Sequence, residues 1–121
     1  MDRNNTARGR ASREKGKRGE REVARIFRDA GYTGARRTSQ YCGRTGDASD
    51  VTGVSGLHLE VKFVEKEAVR SWYGQAVRDA EAAGKGDVPV VIHRKTHNEW
   101  LVTLSLEDFI KILKGEMRDD K

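Results

Sequence analysis

Leu57-His58-Leu59-Glu60-Val61-Lys62-Phe63 is the stretch whose reading organises the rest of the chain. Apolar and polar residues alternate along it, the period of a β-strand with side chains on opposite faces. Leu57, Leu59, Val61 and Phe63 share one face, which must be core. His58, Glu60 and Lys62 share the other, so a carboxylate and an ammonium project side by side from a strand anchored by large apolar groups. A lone Glu-x-Lys on a strand is most often a solvated face with a weak ion pair. Its company changes that meaning.

Upstream, Asp50–Val54 reads as a short strand and Ser55-Gly56 as a turn, so Asp50 lies across a hairpin from Glu60. Two carboxylates on adjacent strands, with the Val61 carbonyl, make an all-oxygen site for a hard divalent cation, Mg²⁺ by preference with Mn²⁺ as a substitute. Such an ion polarises a phosphodiester, lowers the pKa of water and stabilises the leaving oxygen. Lys62 would orient or deprotonate the nucleophile, or neutralise charge in the transition state. Asp47 is a rival for the metal position; Asp50 is preferred because the apolar residue after it begins the strand.

Further out, Gly16–Ala30 reads as a helix with Val23, Ile26, Phe27 and Ala30 on one stripe and Gly31 ending it. Extending the stripe backward reaches Gly19 and Glu20. That puts a carboxylate on the core-facing side, where it could hold water at the metal. Tyr32–Ser39 is a strand and 40–47 a polar, glycine-rich loop. Glu67–Ala83 is a second helix with Val69, Trp72, Tyr73, Ala76, Ala80 and Ala83 as its apolar stripe. Val88–His93 and Trp100–Leu104 are strands. Ser105 caps a last helix whose buried face is Leu106, Phe109, Ile110 and Leu113. The expected order is α-β-β-β-α-β-β-α around one mixed sheet, an α/β domain.

Length and charge agree with one domain acting on a polyanion. The chain has 121 residues, 36% of them hydrophobic and 36% charged, enough for one compact core. Residues 1–37 carry 12 Lys/Arg against 5 Asp/Glu, whereas 38–121 carry 12 against 14. A basic front on a near-neutral body suits nucleic acid, although a basic tail that only solubilises would look the same. Residues 1–14 are expected to be a disordered basic tail, 15–115 the folded domain and 116–121 a C-terminal tail. Cys42 is the only cysteine, so neither an intrachain disulfide nor a cysteine zinc cluster is available. No signal peptide or membrane span is evident, and a soluble protein of the cytoplasm is expected.

Other candidates are weaker. His58, His93 and His97 are too scattered for a zinc site, and His58 reads as a half-exposed strand residue. Trp72, Tyr73 and Trp100 read as core or dimer contacts rather than base-stacking platforms. Gly43-Arg44-Thr45-Gly46 lacks the Lys and the following helix of a P-loop.

Taken in order, these features resemble the PD-(D/E)XK nuclease superfamily, and within it the archaeal-type Holliday-junction resolvases. The likeness runs from about Lys15 to Leu104. Lys17-Arg18-Gly19-Glu20-Arg21-Glu22 resembles the opening helix, where a glutamate belongs to the active site. Gly31-Tyr32 with Arg36-Arg37 and Ser39 resembles the basic segment before the loop. Ser49-Asp50-Val51 stands where the family has Pro-Asp and an apolar residue, with Ser49 departing from the proline. Leu59-Glu60-Val61-Lys62 is similar to the apolar-Glu-apolar-Lys strand, and Gln75-Ala76 resembles the helix whose glutamine helps set the site.

The resemblance implies a restriction-endonuclease-like fold, a central mixed five-stranded sheet flanked by helices. It implies Glu20, Asp50, Glu60, Lys62 and Gln75 as the catalytic group and a metal held by Asp50, Glu60 and Val61. Lys15, Lys17, Arg18, Arg36, Arg37, Ser39 and Arg44 would contact DNA phosphates, which position a duplex without reading its sequence. It further implies a branched or four-way-junction substrate, a homodimer matched to the junction's near-twofold symmetry, and a phage as one expected source, acting in the host cytoplasm. Two alternatives stay open: a related nuclease with another DNA target (a nickase, flap or end-processing, or restriction-like enzyme), and a non-catalytic DNA-binding module.

Overall fold

The computed structural model describes residues 3–38 and 49–115. Eight elements follow one another: α1 (Arg3–Asp29), β1 (Arg36–Arg37), β2 (Val51–Thr52), β3 (Leu57–Phe63), α2 (Val69–Ala83), β4 (Val88–Arg94), β5 (Leu101–Thr103) and α3 (Leu106–Leu113). The strands form one sheet in the order β1-β2-β3-β4-β5. β3 and β4 are parallel, with Leu57 opposite Val88 and Phe63 opposite Arg94; the other neighbours are antiparallel. A parallel pair needs a long crossover, and α2 supplies it. This is the α/β restriction-endonuclease-like fold, with the expected element order.

α1 packs on one face of the sheet and α2 on the other. On the α1 side Val23 and Ala24 meet Val51, Leu59, Val61, Val90 and Ile92, all buried. Gly19 lets the helix approach: a Cβ there would stand 2.9 Å from the Phe63 Cβ. On the α2 side Ala76 and Ala80 are the buried helix residues, small enough to bring the helix close to the sheet. Covering both faces is usual for parallel strands. It changes the expectation for β3: His58 and Glu60 do not project into solvent but are buried, at 3% and 5% exposure.

Several expected boundaries and faces move. α1 starts at Arg3, not Gly16, so the stretch expected as a disordered tail is helical from Arg3 onward. Its Arg, Ala, Glu and Lys are good helix formers, and extending an existing helix needs no new nucleus. The extension gains no core: Ala7, Arg8 and 10–14 are exposed. Lower in α1, Ala24 is buried where Ile26, at 48% exposure, was expected. β1 shrinks to Arg36–Arg37 because the chain first turns back, Tyr32 N–H bonding to Phe27 O and Ala35 N–H to Tyr32 O. β2 stops at Thr52 because Gly53 adopts φ +93°, and a Cβ there would overlap the Gly34 carbonyl.

α3 begins as expected, with Asp108 N–H donating to Ser105 Oγ at 3.0 Å. Its expected buried face is exposed, however: Leu106 72%, Phe109 46%, Ile110 42% and Leu113 69%. The short helix stands off the sheet over an apolar cavity of about 400 Å³ lined by Phe27, Leu59, Ile92, Val102, Phe109 and Ile112. Trp72, Tyr73 and Trp100 are half-buried; Trp100 packs on Phe63 and donates its indole N–H to Glu22 Oε1 at 2.7 Å. The expected C-terminal tail 116–121, the loop 40–47 with Cys42, Arg44 and Asp47, and Ser39 lie outside the described residues.

Candidate active site

The hairpin β2–β3 places Asp50. Its N–H donates to Leu59 O at 2.8 Å, and its carbonyl accepts from Thr38 N–H at 2.9 Å, so its backbone is held between β1 and β3. Its side chain then reaches along β3, where Asp50 Oδ2 accepts from Val61 N–H at 2.8 Å. A strand residue sends its N–H and C=O to the same side. The Val61 carbonyl therefore faces the same edge as Asp50, beyond the last paired residue of β2.

The electrostatics of that edge are strained toward negative charge. Burial first, then the neighbouring Glu60 and Glu20 carboxylates, push Asp50 up to about 7; the Val61 N–H and Lys62 pull the other way. Glu60 and Lys62 of β3 and Glu20 of α1 thus all lie within electrostatic reach of Asp50, which directly precedes β2. Glu60 and Lys62 share a face of β3 because they are two residues apart. Lys62 is half-buried and makes no ion pair among the described residues.

Glu60 has a closer partner than Asp50. Its Oε2 lies 2.9 Å from His58 Nε2, both side chains being almost fully buried. His58 is therefore no half-exposed surface residue. The third member is Asp79 of α2: one ligand atom each from His58, Glu60 and Asp79 lie within 4.8 Å of one another. Asp79 was absent from the sequence expectation, although the signal was there. It stands three residues after Ala76 and one before Ala80, on the stripe that faces the sheet.

The other expected residues are placed unevenly. Glu20 Oε1 accepts from Arg37 Nε at 2.7 Å, so both are engaged with each other. Lys15 bonds Glu65 and lies over the Phe63 ring, 4.7 Å from its centroid. Lys17 is 3.8 Å from Glu14. Such surface pairs are weak and can be exchanged for a phosphate. Arg18 and Arg36 are exposed. Gln75 is exposed one helical turn before Asp79 and makes no hydrogen bond to a described residue. Ser39 and Arg44 cannot be placed, lying outside the described residues.

A divalent cation fits this arrangement. An aspartate pushed up to about 7 by burial first and by the Glu60 and Glu20 carboxylates second marks a site short of positive charge, and the donors around it are the hard oxygens such an ion takes. Among the described residues no helix is long and apolar enough to cross a membrane.

Compared with known proteins, residues 11–120 match the family model described as "Phage putative PDDEXK endonuclease". No curated protein and no solved structure matches the chain.

Proposed function

Since this chain belongs to the phage PDDEXK endonuclease family, we propose that it is a Mg²⁺-dependent, structure-selective DNA endonuclease, specifically a Holliday-junction resolvase. The observation that supports this best is the Asp50 carboxylate, docked on the Val61 amide and raised to about 7 beside Glu60, with Lys62 next to both. Asp50, Glu60 and the Val61 carbonyl would hold the Mg²⁺, which when bound supplies Lewis-acid polarisation of the scissile phosphate.

The chain's own residues do the rest. Lys62 orients the attacking water and offers positive charge to the phosphoryl oxygens as negative charge builds on them. Glu20 accepts a hydrogen bond at the rim and keeps Arg37 in place; on approach of DNA, Arg37 can turn to a phosphate. Gln75 steadies the substrate side of the site. Arg36, Arg18, Lys17 and Lys15, with Ser39 and Arg44, grip the backbone, and their side-chain charges account for binding that weakens with salt. A junction has near-twofold symmetry, so the active form is a homodimer. The exposed apolar side chains of α3 and the neighbouring Leu101 and Val102 suit that interface. The protein would act in the cytoplasm of the phage's host.

The test is cleavage of a synthetic four-way junction with and without Mg²⁺, beside nicked, flapped and linear duplexes. Paired nicks across the junction, only with Mg²⁺, are expected. Equal cutting of every substrate would replace the resolvase with a less selective nuclease of the same family. Binding without cutting in Mg²⁺ or Mn²⁺ would leave a DNA-binding module.

A further inference from the structure

Glu60 has two neighbourhoods. Toward β2 it faces Asp50, as above. Toward α2 it faces His58 and Asp79, and this second group has no part in the reading of the Asp50 edge. We propose that His58, Glu60 and Asp79 form a second metal site, for a divalent transition-metal ion of the Mn²⁺ class.

The spacing is compatible with ligands of one ion as well as with the hydrogen bond it forms without one. Two ligands about 2.1 Å from a metal on perpendicular bonds stand about 3.0 Å apart. His58 Nε2 and Glu60 Oε2 are 2.9 Å apart. Asp79 brings a carboxylate oxygen within 4.8 Å of both, near enough for a rotamer change to close the set. Asp79 makes no hydrogen bond or ion pair with another described residue.

Charge points the same way. Glu60 is almost fully buried, with the half-buried Asp79 beside it, and a buried carboxylate is costly unless compensated. A doubly charged ion would balance them. The donor type selects the metal: an imidazole nitrogen with two carboxylates suits Mn²⁺ or Zn²⁺, while Mg²⁺ prefers oxygen and water throughout. Glu60 would be shared, one oxygen toward each neighbourhood. The ion under α2 would then fix the Glu60 carboxylate in the direction the Asp50 edge needs. This shares Glu60 with the proposed function but requires no nuclease activity.

The probe is Mn²⁺, titrated into the full-length chain, with free Mn²⁺ read by continuous-wave EPR and the bound ion by electron spin-echo modulation. The wild-type protein is expected to show ¹⁴N modulation from a coordinated imidazole. Asp50→Asn should keep that modulation, because it leaves the His58 group intact. His58→Gln, which can still hydrogen-bond Glu60, should lose it. Asp79→Asn, at a half-buried helix position, should weaken Mn²⁺ binding about tenfold or more, with an unchanged circular-dichroism spectrum.

Bound Mn²⁺ without nitrogen modulation would overturn the second site and leave the Asp50 reading standing. So would a His58→Gln protein that keeps the modulation, or an Asp79→Asn protein of wild-type affinity. Loss of the modulation in Asp50→Asn would show that no separate site exists.

Discussion

The two faces of β3 are equally dry and chemically opposite. Leu59 is fully buried against α1, and its neighbour Glu60 is 5% exposed under α2. On the α1 side burial is its own reward: each large apolar side chain taken from water stabilises by about 1.5–3 kcal/mol. On the α2 side burial costs free energy, because a carboxylate loses its hydration and must recover it from His58 or from an ion. A valine at position 60 would serve the fold better. One face of the strand holds the domain together, and the other carries groups the domain holds at a cost. Groups of that kind cluster at functional sites.

The sharpest way to break this contrast is to change each face separately. Lys62→Ala should lower junction cleavage about 10³-fold or more while the melting temperature stays near wild type. A comparable loss of stability would mean that Lys62 serves the fold. Leu59→Ala should do the reverse. Denaturant melts are expected to show about 3 kcal/mol of lost stability, whereas cleavage under conditions where the variant is folded should change little. If Leu59→Ala proved as stable as wild type, the apolar face would not be what holds the sheet to α1.

The smallest effect is in pH. Folded Asp50 keeps its proton up to about 7, whereas the unfolded chain releases it near 3.8. Between these values folding takes up a proton. This group's contribution to stability is therefore complete below about 3.8 and is lost as pH rises toward 7. Added Mg²⁺ should raise the melting temperature more at pH 8 than at pH 5, and Asp50→Asn should flatten that difference. An equal Mg²⁺ response at both pH values in wild type would argue against an ion beside Asp50.

Much of the architecture could be read without coordinates. The alternation around Glu60 placed β3, Gly84 closes α2 in the left-handed conformation at φ 68°, and Ser105 caps α3. These are local signals, decided within a few residues of the backbone. Glu20, Asp50, Glu60 and Lys62 could be nominated in the same way, from strand parity and helix stripes. What could not be read was the surroundings. His58 looked half-exposed because nothing in its own strand says that α2 lies over it. Asp79 was not singled out, although it stands on the α2 stripe that faces the sheet. Leu106 and Leu113 looked buried because an amphipathic stripe states which face is apolar, not whether anything covers it.

The sequence by itself determined the order of elements, the parity of β3 and the identity of the acidic and basic groups on its polar face. Each depends on periodicity and on contacts between residues close in the chain. Only the tertiary structure decided that Glu60 stands between Asp50 and the His58–Asp79 pair, and that Arg37 reaches Glu20. Those neighbours come from α1, β1, β2 and α2, and their meeting follows from how helices settle on a sheet. The same settling sets the dielectric around each carboxylate, which no run of residues encodes alone.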